Sequence, residues 1–313
     1  MGRVSRGTAM RRSIVLILAV TFVAACTSAG HKGQVSGAAT GLPSSTPQVI
    51  AAADGASLTR IALDAGNVAY LQVVDPHRMV IDQILGPVDG DAPAPSAYYP
   101  RGGSPRFRRL TADQMQSWCR VRYGTGAFSA VNAAFFETYD ASTALAFPLK
   151  VDGRVLTGGS SPYGPIAHPR AAYYRNVTLR ALTWDGNGAT IARYDPATGS
   201  PLSDPGIRDG LVTYLYRDHP SDALGGDPPN RYQLLGVVDA DGSRDLAILT
   251  VDRASLEAGA RILHQHGVTG DVLTVDGGIS TYLWAASAGD LEAADNAPGS
   301  ESSLPHYLCI HHR

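Results

Sequence analysis

The stretch LTVDGGISTYLW (residues 273–284) runs an apolar segment into a carboxylate, two glycines and two hydroxyls, then turns apolar again. A strand ending in Asp-Gly-Gly puts the Asp276 carboxylate at a strand edge. Gly277 and Gly278 tolerate positive φ, so successive backbone N–H groups can face one anion, and Ser280 and Thr281 add hydroxyl donors. Read locally, this is an acid beside a phosphate cradle. The same residues also make an ordinary glycine turn with an Asp cap.

Other constellations carry less. His264 and His266 stand two apart on an expected helix and share no face, so they do not form a metal pair. Asp239, Asp241 and Gly242 imitate part of a calcium loop, but Thr250 occupies the place of the bidentate glutamate, and a hairpin turn accounts better for them. GGSSPYG (158–164) fails the spacing of a serine nucleophile elbow. No metal and no cofactor is expected.

The elements that must position Asp276 are mostly strands. NVAYLQVVD (67–75), RMVIDQIL (78–85) and AFSAVNAAFF (127–136) are rich in apolar and β-branched residues. LKVDGRVL (149–156) alternates around Asp-Gly, a strong hairpin signal, and residues 177–195 and 232–252 repeat the pattern of strand, glycine turn, strand. Two helices are expected. One starts at Thr111 with Gln114 completing a capping box, puts Met115, Trp118 and Cys119 on one face, and stops at Gly124. The other spans 254–267, with Leu256, Ala260 and Leu263 on one stripe and a stop at Gly267. The Pro/Gly-rich segment 89–105 reads as a long loop. The expected fold is α+β, a single domain of mainly antiparallel strands and hairpins with a few packed helices.

The chain has 313 residues, 44% of them hydrophobic and 17% charged, which suits a folded domain rather than disorder. Residues 1–25 read as an export signal: Arg3, Arg6, Arg11 and Arg12 precede the apolar run 14–23, and Val23-Ala24-Ala25-Cys26 resembles a bacterial lipobox. Cys26 is then the expected lipidation site, 26–57 a Ser/Gly/Ala/Pro-rich tether, and 58–313 the domain. Localisation follows as exported and lipid-anchored to the cell membrane, outside the cytoplasm. Without the first 25 residues, 22 basic face 28 acidic residues and no basic stripe remains, so no nucleic-acid partner is expected. Cys119 and Cys309 make up the number one disulfide needs, but two separate buried thiols fit the sequence equally well.

Taken in order, VNAAFF (131–136), the Asp-Gly hairpin at 148–156, GVVDADGSRDLAILTVD (236–252), a helix and VDGGIST (275–281) resemble the phosphodiester glycosidase family. Asn132 matches the asparagine of the family's first motif, and Asp276, Gly277, Gly278 and Ser280 match its last. Ala133, Ala134 and Ile279 replace small or glycine positions. Tyr232 stands where an arginine is common, with Arg231 one place earlier. The resemblance implies cleavage of a bond between an anomeric carbon and a phosphate oxygen in a phosphate-linked glycan or sugar phosphate. The departing phosphomonoester is already a good leaving group, so the chemistry needs one carboxylate and donors for phosphate more than a strong acid. Asp276 is the expected carboxylate and Asn132 the residue that positions hydroxyls or phosphate. Arg231, Arg170 or Lys150 would neutralise the phosphate. Glu137 reads either as a second acid or as a solvated turn residue. A glycan-binding or envelope-assembly lipoprotein without turnover is the rival reading.

Overall fold

The computed structural model describes residues 46–89, 94–95, 103–137, 139–156, 177–219, 229–240, 242–292 and 303–313. The expected signal segment, Cys26, Arg170, Asp241, the 158–164 segment and much of the 89–105 loop lie outside them.

Local turn chemistry builds the sheets. Strand Leu149–Val151 passes through Asp152 (φ 48°) and Gly153 (φ 77°) into Arg154–Leu156, the two left-handed residues that a tight hairpin turn demands. Tight hairpins also join Arg180–Asp185 to Gly188–Arg193 and the long pair Asn230–Ala240 to Ser243–Ala254. The larger sheet runs, in spatial order, Gln48–Ala53, Ala56–Ala62, Val68–Val74, Ser243–Ala254, Asn230–Ala240, Leu273–Val275, Asp209–Leu215, Leu149–Val151 and Arg154–Leu156. The Arg180–Asp185 hairpin branches from Asp209–Leu215. A second, five-stranded sheet runs Gly289–Glu292, Leu283–Ala285, Ala127–Asn132, His306–His312 and Met79–Leu85. The two share one core, in which Leu58, Val74, Leu235 and Ile248 of the first meet Ile81, Val131, Leu283 and Leu308 of the second. Buried polar side chains also link them: Ser129 bonds Gln72 at 2.5 Å, and Gln233, itself bonded by Thr250, reaches the carbonyl of Asn132 at 3.5 Å.

The fold is mainly β, which corrects the α+β expectation. Only two α-helices, Ala112–Tyr123 and Leu256–Gln265, occur among the described residues, and nearly every other apolar run pairs as a strand. Both helices lie where their caps place them. Thr111 and Gln114 make the reciprocal capping box, and Met115 and Cys119 are buried. The second helix buries Leu256, Ala260 and Leu263, packing with Leu234 and Leu249 of the large sheet. The first strand, Gln48–Ala53, lies before residue 58 and pairs with Ala56–Ala62. Cys119 of the first helix is bonded to Cys309 of the small sheet, with Cα atoms 6.3 Å apart. No helix among the described residues is long and apolar enough to cross a membrane.

Candidate functional site

Leu273–Val275 is a three-residue strand held on both sides, with Gln233 opposite Val275 and Tyr214 opposite Thr274, so its end is fixed. Asp276 follows at once. Its N–H donates to the carbonyl of Ala133 at 2.9 Å, where the strand Ala127–Asn132 leaves the other sheet. The acid therefore stands where the two sheets meet.

Asn132 makes that junction. Its Nδ2 donates to the Asp276 carbonyl at 2.6 Å, and its Oδ1 accepts from the Tyr282 N–H at 2.8 Å. It is 1% exposed and does not line the pocket around Asp276. One side chain thus closes both ends of the 276–282 loop, and Asn132 positions the acid rather than facing a ligand.

The two glycines serve different purposes. Gly278 has φ 63°, a left-handed conformation that favours glycine. Gly277 is extended at φ −139°, and a Cβ there would lie 3.0 Å from the carbonyl oxygen of Arg231. Residues Gly278–Ser280 make one short turn in which the Ser280 N–H bonds Gly277 and the Thr281 N–H bonds Gly278, and the Gly277 N–H turns to the Asp276 carboxyl itself.

The Asp276 carboxyl is the unusual group. Its Oδ2 is closed off from water and has no hydrogen-bond partner among the described residues. Burial pushes its pKa up to about 7, although hydrogen bonds from the Ser280 side chain and the Gly277 N–H pull the other way. The residue still borders a pocket, so part of its surface is open while the carboxyl oxygen is dry. That pocket, about 350 Å³, is walled by Phe135, Phe136, Tyr139 and Tyr232, and also takes in Glu137, His219, Asn230, Gly277 and Gly278. Phe136 meets Tyr139 edge-on at 5.0 Å, and His219 meets Tyr232 edge-on at 5.7 Å. The Tyr139 hydroxyl lies 3.5 Å from Ser280 Oγ. Glu137 brings a second carboxylate into the same space.

Two of the expected cations, Arg231 and Lys150, do not line the pocket. Arg231 is bound to Glu292, its Nε 2.6 Å from Oε1 and its Nη2 on the same oxygen. Lys150 is buried in the strand Leu149–Val151 and donates from Nζ to the carbonyl of Asp204 at 2.5 Å, outside the pocket. Arg170 lies outside the described residues. No lysine or arginine lines the pocket among the described residues. Sequence reasoning missed Tyr139, His219 and the aromatic walls. The run FFETY (135–139), just past the end of the strand Ala127–Asn132, was the available signal.

Fold and site together define a mainly β protein with two carboxylates in an aromatic pocket at the meeting of its two sheets. No protein-family model matches the sequence, and no curated protein matches it. Among solved structures, it is similar to the catalytic domain of zebrafish N-acetylglucosamine-1-phosphodiester alpha-N-acetylglucosaminidase, with a TM-score of 0.53 at 15% identity over 88% of this chain and 87% of that one. At such identity the likeness is one of fold. A hypothetical protein from Synechocystis aligns with a TM-score of 0.41 at 13% identity, over 86% of this chain and 64% of that one. A protein from Burkholderia pseudomallei aligns at 0.37 and 12%, over 78% and 74%.

Proposed function

We propose that this protein is an exported, lipid-anchored hydrolase that cleaves the glycosidic bond to phosphate in an envelope or extracellular glycan. In the reaction the bond from the anomeric carbon to the phosphate oxygen breaks, water supplies the new hydroxyl, and the phosphomonoester leaves with the bridging oxygen. Asp276 takes the proton from the attacking water and faces the positive charge that develops at the anomeric carbon. Glu137 is the second carboxylate at hand, and Phe135, Phe136, Tyr139 and Tyr232 offer apolar faces for a sugar ring.

The observation that carries this reading is the dry, unpartnered Oδ2 of Asp276 on the wall of a pocket. A carboxyl with its pKa near 7 exchanges protons at working pH, whereas a corner residue has no need of one. The fold likeness to a phosphodiester glycosidase domain supports the substrate class. The absence of lysine or arginine from the described pocket walls favours a second reading, a glycan-binding lipoprotein without turnover. Incubation with a panel of sugar-phosphate diesters, with Asp276→Asn as control, separates the two: release of sugar and phosphomonoester by wild type alone supports the hydrolase, and binding without release selects the binder. The anchoring rests on Val23-Ala24-Ala25-Cys26, and identical membrane fractionation of wild type and Cys26→Ala would remove it.

A further inference from the structure

The Asp276 pocket does not end at its own walls. Asn230 borders it and also borders a second cavity of about 440 Å³, whose other lining residues are Pro229, Arg231, Asp252 and Arg253. A register shift creates this neighbour. Asn230 pairs with Ala254 and Tyr232 with Val251, so Arg231 alone stands against both Asp252 and Arg253. A β-bulge of this kind bends the strand and re-aims side chains, and bulges are common beside active sites.

The three charged residues of the groove are not equivalent. Arg231 is 17% exposed at its side chain and tied to Glu292. Arg253 is exposed, and among the described residues it has no hydrogen bond and no ion pair. An unpaired guanidinium offers a planar fork that fits phosphate oxygens two at a time. Asp252 accepts only, and suits a hydroxyl on the same ligand.

We propose that the groove around Arg253 is the anion subsite of this protein, taking the phosphate of a ligand whose sugar occupies the Asp276 pocket. The proposal rests on the reading of that pocket as a sugar site, and it supplies what the pocket walls lack, a cation one residue away from them. Arg253 is then the residue that separates phosphate-linked sugars from neutral ones.

The test is a calorimetric titration of glucose 1-phosphate and of inorganic phosphate into wild type, Arg253→Gln and Asp252→Asn, with thermal melts as a folding control. Arg253 is a surface residue, so its variant should melt like wild type. The expected result is a loss of affinity for glucose 1-phosphate of roughly tenfold to a hundredfold in Arg253→Gln, the range for one charge-assisted hydrogen-bonded contact. Asp252→Asn should bind inorganic phosphate as well as wild type or better. Equal affinity in wild type and Arg253→Gln overturns the proposal, as does the absence of binding by either probe at millimolar concentration. If Arg253→Gln binds normally while wild type hydrolyses a diester, the subsite falls and the hydrolase stands. If binding depends on Arg253 but no diester is ever cleaved, the subsite stands and the hydrolase falls.

Discussion

Replacing Asp276 with Asn should change the pH dependence of folding stability in a direction that the structure fixes. The carboxyl titrates near 3.8 in the unfolded chain and near 7 in the folded one, because burial disfavours its charge. Below 3.8 both states hold the proton, and the group contributes no difference. Between 3.8 and 7 the unfolded chain has released a proton that the folded chain keeps, so rising pH weakens the native state. Above 7 both are ionised and the full cost is present, on the order of 4 kcal/mol. Asparagine does not titrate, so the variant escapes this cost. Its amide places a donor or acceptor where Oδ2 finds no partner, at a constant cost of about 1–3 kcal/mol. The variant should therefore be less stable than wild type at pH 4 and gain on it steadily up to pH 7, ending level or ahead at pH 8. Urea unfolding of both proteins at pH 4, 5, 6, 7 and 8 measures the difference directly. A gap that stays constant across that range, or one in which wild type gains with pH, would refute the claim that the Asp276 carboxyl is desolvated.

Asn132→Ala should destabilise the domain by about 2–4 kcal/mol in urea unfolding, because it leaves the Asp276 carbonyl and the Tyr282 N–H without their buried partner. Gly277→Ala should cost more than Gly278→Ala by the same measurement: the first drives a Cβ to 3.0 Å from the Arg231 carbonyl oxygen, and the second meets open space and pays only about 1–2 kcal/mol for its left-handed φ. Similar losses for both would show that the sheet does not press on Gly277. Removing the Cys119–Cys309 bond with a double serine variant should lower stability by up to about 5 kcal/mol, the chain-entropy value for residues 190 apart, and an unchanged melting temperature would show that the bond does not constrain the unfolded chain.

Much of the fold was legible because its signals are local. The Asp-Gly turn at 152–153, the capping box from Thr111 to Gln114 and the stop at Gly267 each act within a few residues, and all appear in the structure. The balance of helix and strand was misjudged. Segments such as QVIAAA at 48–53 lack alternation, and only pairing with Ala56–Ala62 makes a strand of them. At the site, Asp276 was legible from its glycines and the apolar strand before it. The role of Asn132 was not, since its partners are backbone groups 144 and 150 residues away. Arg231 looked available for the same reason: the carboxylate that binds it, Glu292, lies 61 residues on. Polar groups that meet across two sheets leave no spacing rule in the sequence.

The most direct measurement is product analysis after incubation of wild type and Asp276→Asn with a panel of sugar-phosphate diesters at several pH values. Wild type should release free sugar and phosphomonoester from at least one member, with kcat/KM rising as pH increases through about 7, where the Asp276 carboxyl ionises, and the variant should lose most of that turnover while remaining folded. Equal turnover by wild type and a folded Asp276→Asn, or no release from any diester across the pH range, would contradict the assignment of Asp276 as the reacting carboxylate.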